Sequence, residues 1–276
     1  MSYELTILHL VMLPLVGAAV AALGTLVGLG GGFVLVPLLL FMFPDESPAV
    51  ISSISLTVVF LNAVSATVTN YREHRIDFKT AGLLAVGGIP AAAIGAIAAS
   101  RVTRDSFEIY MGILLILGAV YVLWRSTRAI ELQGDVEHAP NREIRERMGR
   151  TYRFYVNTVM AGGISPVSGY ISSFFGIGGG VVNVPAMTFL LRMPPRVVAP
   201  TAMLLLVVTS SSSLITRIAT GQFQDGWLRA ALLGAGALVG AQIGIYLRSR
   251  VDHRVVLVIL AASMILVGGR QLIVGI

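Results

Sequence analysis

Two glycine triplets, each set in sequence apolar enough for a membrane interior, constrain this chain more than any other feature. The first lies in GTLVGLGGGFVLVPLLLFMFP, from Gly24 to Pro44, and the second in FFGIGGGVVNVPAMTFLLRMP, from Phe174 to Pro194. Glycine disfavours helix, and a break within hydrocarbon frees backbone groups that must be paired or face protein or water. A break that recurs in matching context is an architectural element.

The surroundings are those of a membrane protein. Of the 276 residues, 55% are hydrophobic and 12% charged, with a mean hydropathy of +0.83, against about 25% charged in an average soluble domain. Apolar runs such as Ala81–Ser100, Tyr110–Trp124 and Trp227–Leu247 approach or reach the roughly 20 residues a helix needs to span a bilayer. There is no cysteine, and the four histidines are scattered without ligand spacing, so no metal site or other cofactor is expected. The net charge of +6 sits mainly in arginines of short loops, which indicates positive-inside topology and not nucleic-acid binding. The first Lys or Arg is Arg72, so the basic start of a cleaved signal peptide is not expected.

Sliding the chain over itself by 147–149 residues superposes GLGGG (Gly28–Gly32) on GIGGG (Gly176–Gly180) and Pro37 on Pro185. Each copy reads as a long apolar segment, a break, a short apolar segment and three ordinary spans. The expected spans are 5–27, 32–43, 48–70, 80–100 and 106–125, then 153–175, 181–191, 196–217, 227–247 and 254–275. This predicts an all-α polytopic membrane protein with a first repeat at 1–125, a linker at 126–152 and a second repeat at 153–276. The linker is expected to be solvated, with a helical turn or two at Arg142–Arg150.

The short segments reach only about 16–18 Å at 1.5 Å per residue, roughly half of a 30 Å core. They either complete a broken crossing or return as a hairpin. If they return, the loops Tyr71–Lys79, Arg125–Arg153, Arg192–Arg196 and Arg248–Arg254 share one side with fifteen Lys/Arg, and two fall clearly on the other. The positive-inside rule therefore favours inverted repeats, with the linker cytoplasmic and both termini outside.

Each break would present the N–H groups and positive dipole end of a half-helix, with no side chain in the way. Two of them converging would bind an anion without a buried cation. The residues expected to shape this site are Gly30, Gly31, Gly32, Gly178, Gly179 and Gly180, with Pro37 and Pro185 as hinges. Asn183, Ser52, Ser55, Asn62, Thr201 and Ser211 supply candidate donors, although packing or bonding to helix carbonyls accounts equally for such residues. Arg217 and Arg270 are expected to snorkel to an interface, with Arg217 also placed to attract anions at a pathway mouth. No Asp or Glu is expected deep in a span, so no carboxylate relay is legible.

These motifs resemble the sulfite exporter TauE/SafE family. The likeness rests on the paired GLGGGFVLVPLL and GIGGGVVNVPAM, on the spans AVISSISLTVV and VVAPTAMLLLV after them, and on HRIDFKTAGLLAVGGIPAAAIGA. It implies an inner-membrane carrier exporting sulfite, sulfonates such as sulfoacetate or sulfolactate, or thiosulfate. The implied partners are a small anion and the lipid bilayer, and a homo-oligomer is compatible with it. APTAM stands where the first copy has SSISL, so the halves need not share side-chain roles. A carboxylate carrier and an anion channel remain open alternatives. An intramembrane enzyme would need a base or metal ligands beside the serines, which the spans do not offer.

Overall fold

The computed structural model describes residues 7–128, 140–147, 149–223, 226–247 and 253–274. In the first half, α1 (Ile7–Val27), α2 (Gly32–Met42), α3 (Pro48–Arg72), α4 (Phe78–Ala99) and α5 (Arg104–Arg128) follow one another. The second half has α6 (Thr158–Phe175), α7 (Gly180–Pro185), α8 (Pro195–Ala219), α9 (Trp227–Leu247) and α10 (His253–Val274). Among the described residues, four helices (α3, α4, α8 and α9) are long and apolar enough to cross a membrane by length and composition. Large apolar side chains such as Leu15, Val86, Ile94, Ile215 and Leu266 face outward, as lipid contact requires.

Helix ends follow local chemistry. Ser47 caps α3 by accepting from the Val50 N–H, with Pro48 in the first turn, and Asn157 caps α6 by accepting from Val159 and Met160. Pro185 has no N–H to donate to Val181, and directly after it the chain widens into a π-helical turn, Ala186–Leu190. Pro37, by contrast, sits inside an uninterrupted α2.

Small residues let the helices touch along their backbones. A methyl at Gly236, Gly240 or Gly244 would lie 1.9, 2.2 or 2.5 Å from the carbonyl oxygens of Pro14, Ala18 and Ala22. Both numberings rise together, so α1 and α9 run in the same direction. Likewise α4 runs with α6: Ser165 donates to the Leu84 carbonyl, and a methyl at Gly169 would meet the Gly88 carbonyl at 2.5 Å. Ser65 donates to the Leu238 carbonyl and Thr69 to Gln242, aligning α3 with α9. Thr209 beside Gly88 and Ser212 on the Ile89 carbonyl align α8 with α4. In opposition, α3 meets Arg217 of α8 through Ala49 and Ser53, and Leu206 beside Val59. Thus α1, α3 and α9 point one way, and α4, α6 and α8 the other.

The linker corrects one expectation. Arg142–Arg145 is not helical but forms strand β1, paired antiparallel with β2 (Thr151–Phe154), Arg142 opposite Phe154. The second long helix accordingly begins at Thr158 and not near 153. Side chains along β1 alternate between half-buried and exposed, the period of a strand. The hairpin docks on neighbouring connections: Glu146 pairs with Arg75 at 3.1 Å, Arg142 lies 3.7 Å from Asp77, and Arg196 donates to the Tyr152 hydroxyl. Residues 129–139 and 148 of the linker lie outside the described residues.

Ion pairs join another set of connections. Arg229 donates to Glu46 at 2.6 Å, and Arg104 reaches the Leu40 carbonyl in the last turn of α2 and the Glu46 carbonyl in the connection after it. Arg104 also pairs with Glu108, which is buried in α5. A buried carboxylate therefore does occur in a span, but in its second turn and neutralised by the arginine four residues earlier.

Candidate functional site

The two breaks cross at the centre of the molecule. Gly28, Gly30 and Gly31, and in parallel Gly176, Gly178 and Gly179, have φ between 73° and 85°, a left-handed backbone that glycine adopts without a Cβ penalty. The first break folds back on the helix before it: a methyl at Gly31 would lie 2.8 Å from the Val20 carbonyl oxygen. Contacts between the breaks are reciprocal. A methyl at Gly32 would meet Ile177 backbone at 2.7 Å, and one at Gly180 would meet the Leu29 carbonyl oxygen at 2.3 Å. Gly30 and Gly178 both touch Val59 and Leu206, and Gly28 meets Ala199 where Gly176 meets Ser52. Each pairing maps onto its counterpart by the sequence repeat.

Gly31 and Gly179 cap α2 and α7 with no side-chain hydrogen bond. The first-turn N–H groups thus lack a side-chain acceptor, and the positive dipole ends of two half-length helices lie at the crossing. Gly28–Gly32 and Gly176–Val181 are buried, so this conformation is closed. The backbone contact leaves no space for an anion at the crossing point itself.

The candidate side chains divide. Asn62 donates to the Gly30 carbonyl at 3.0 Å and accepts from the Thr25 hydroxyl at 2.8 Å, which pins the first break. Ser55 donates to the Gly176 carbonyl at 2.7 Å, which pins the second. Asn183 flanks Gly179, its Nδ2 3.0 Å from where a methyl would stand, while its buried Oδ1 has no partner. Ser52 packs on Gly176, and its buried hydroxyl is also unpartnered. Thr201 and Ser211 are not brought to the breaks by a bond. Thr201 accepts from the Asp77 N–H at 3.0 Å near the linker hairpin, and Ser211 donates to its own helix at the Val207 carbonyl. Among the described residues no cluster of His, Asp or Glu has metal-ligand geometry.

Arg217 was the residue that sequence reasoning misplaced. It does not snorkel; it is 0% exposed and donates to the Ala49 and Ser173 carbonyls at 3.1 and 2.7 Å. Its environment comes from α3 and α6, far off in the chain. One signal could have found it: an arginine closing a span on the side assigned outside runs against the positive-inside rule. Arg270 is exposed, with its guanidinium 4.7 Å over the Phe41 ring.

Apolar helices with backbone-contact packing, an outward apolar surface and buried glycine breaks define a polytopic α-helical membrane protein. The match is specific: the family described as Sulfite exporter TauE/SafE covers residues 13–270. The chain belongs to that family. It is similar to the probable membrane transporter protein YunE of Bacillus subtilis, 28% identical over 96% of this chain and 98% of that protein. A second B. subtilis protein, the probable membrane transporter YjnA, is 28% identical over 95% of this chain and 99% of its own length. A probable membrane transporter protein of Methanocaldococcus jannaschii is 23% identical over 95% of both chains. No solved structure matches.

Proposed function

We propose that the chain carries small sulfur-containing oxyanions, sulfite or sulfonates such as sulfoacetate and sulfolactate, with thiosulfate in the same range, outward across the cell inner membrane. The observation that carries this reading is the reciprocal crossing of two uncapped half-helix starts in a member of the TauE/SafE family. Helix N-termini bind oxyanions through N–H groups and the dipole, and two of them require no carboxylate relay. Outward movement suits the energetics, since an inside-negative potential favours anion exit by about 2.3 kcal/mol per charge for each 100 mV.

The same proposal takes 1–125 and 153–276 as inverted repeats about the 126–152 linker. Opposed directions of α1 and α6, of α3 and α8, and of α4 and α9 support it. So does the division of polar contacts, with the linker hairpin joined to the α3–α4 connection and the first turn of α8, and Glu46 to α9. With the arginine-rich end cytoplasmic, both termini lie outside. Transport then consists of separating the halves at the crossing alternately toward either side.

Efflux from proteoliposomes tests the substrate. Saturable loss of labelled sulfite or sulfoacetate without an imposed proton or sodium gradient is expected, and Gly180→Ala should abolish it. Movement of acetate but of no sulfur oxyanion would assign a carboxylate carrier instead. Unitary conductance in planar bilayers would assign a channel.

A further inference from the structure

Arg217 is the largest fully buried side chain among the described residues, at 0% exposure in the last turn of α8. All its hydrogen-bond partners are neutral. Nη1 reaches the Ala49 carbonyl at 3.1 Å, the Gln222 Oε1 at 3.2 Å and the Ser53 hydroxyl at 3.4 Å, while Nη2 reaches the Ser173 carbonyl at 2.7 Å. Among the described residues no carboxylate pairs with it, whereas Arg229 has Glu46 and Arg104 has Glu108. A guanidinium keeps its charge, and a buried charge without a counter-ion is strongly disfavoured unless something supplies one.

Apart from the Asn183 Oδ1, the unsatisfied groups around the second break are donors. The Arg217 Nε has no partner, and the buried hydroxyls of Ser173 and Ser52 have none either. They belong to residues that flank the second break: the Ser173 carbonyl accepts from the Gly176 N–H as well as from Arg217, and a methyl at Gly176 would lie 2.8 Å from the Ser52 Cβ. The first break has nothing comparable. There the repeat places Asn70 for Arg217, Thr25 for Ser173 and Ala199 for Ser52. Asn70 bonds its own helix and Thr25 is held by Asn62.

We infer that Arg217, with the hydroxyls of Ser173 and Ser52, forms a charged subsite for the transported oxyanion beside the second glycine break. This rests on the reading of the chain as an anion carrier. The anion supplies the missing counter-charge, and donors from α8, α6 and α3 meet its several oxygens. Three donor groups from three helices suit the three oxygens of a sulfite or sulfonate better than the two of a carboxylate. The subsite lies at the end of the bundle holding the α2–α3 and α8–α9 connections, so it serves one side of the transport cycle only.

The test is anion-dependent thermal stabilisation of the purified full chain with sulfite, sulfoacetate, acetate and chloride as probes. Arg217→Gln is expected to weaken the best oxyanion by at least about tenfold, the loss of a charge-assisted hydrogen bond. Arg217→Lys, which keeps the charge and loses the fork, should retain an intermediate affinity. The pair Ser52→Ala with Ser173→Ala should weaken binding by about threefold or more without lowering the ligand-free melting temperature. If Arg217→Gln folds and binds like the parent, Arg217 only closes the end of α6 and the inference falls. If that variant does not fold, parent-like affinity in the double serine variant overturns it. A parent stabilised by acetate alone, with the response lost in Arg217→Gln, refutes the sulfur-anion substrate but keeps the subsite. A parent that no anion stabilises refutes the subsite.

Discussion

Asn62 and Gly180 act at opposite ends of one problem, holding broken backbone together inside an apolar bundle. Asn62 satisfies the Gly30 carbonyl and the Thr25 hydroxyl at once. Asn62→Leu leaves both buried and unpaired, which is expected to destabilise the protein by about 1–3 kcal/mol per group, read as a lower melting temperature in detergent. Gly180→Ala places a methyl 2.3 Å from the Leu29 carbonyl oxygen, which neither backbone can yield without opening the crossing. The closed conformation should be lost, and with it flux. Gly82→Ala is the counterpart: nothing lies within 4 Å of its added methyl, so it should be neutral or stabilise by up to about 1 kcal/mol through helix propensity. A fall in stability at Gly82 similar to that at Gly180 would show that the crossing is not what makes Gly180 sensitive.

At the scale of elements, the β1–β2 hairpin is tied to the helical bundle through Asp77. That residue caps α4 by accepting from Lys79 and Thr80, accepts the Thr80 hydroxyl at 2.5 Å, and faces Arg142. Asp77→Ala should cost about 1–2 kcal/mol from the cap and loosen the hairpin. Faster proteolysis between residues 140 and 150, with the helices still protected, is the expected signature; unchanged cleavage would mean that the Arg75–Glu146 pair suffices. The hairpin was illegible in the sequence because Arg142–Arg150 carries charges compatible with either a solvated helix or a strand. Pairing with Thr151–Phe154, a non-local contact, decides between them.

For the whole molecule, the grouping of connections makes a topological prediction. The chain contains no cysteine, so single reporters are unambiguous. A membrane-impermeant maleimide applied to intact cells is expected to label Asp45→Cys and to spare Arg147→Cys until the membrane is opened. The reverse pattern would invert the proposed orientation, and labelling of both would refute it. Closed packing at the crossing further predicts that transport requires the two breaks to separate, so a linkage fixing the first break to the second should abolish flux.

The helix count, the two half-length segments and the paired breaks were legible in sequence because each depends on local properties: apolar length, glycine's backbone freedom and repetition. Helix bounds at Val27, Gly32, Gly180 and Trp227 follow from residues within a turn of them. The membrane class followed from composition for the same reason. Tertiary structure alone decided that Asn62 and Ser55 hold the breaks while Thr201 and Ser211 do not. It also decided that the breaks touch, and that Arg217 is enclosed. Those outcomes depend on which helices lie together and in which direction, and these side chains find their partners on other segments, from 32 residues away for Asn62 and Gly30 to 168 for Arg217 and Ala49.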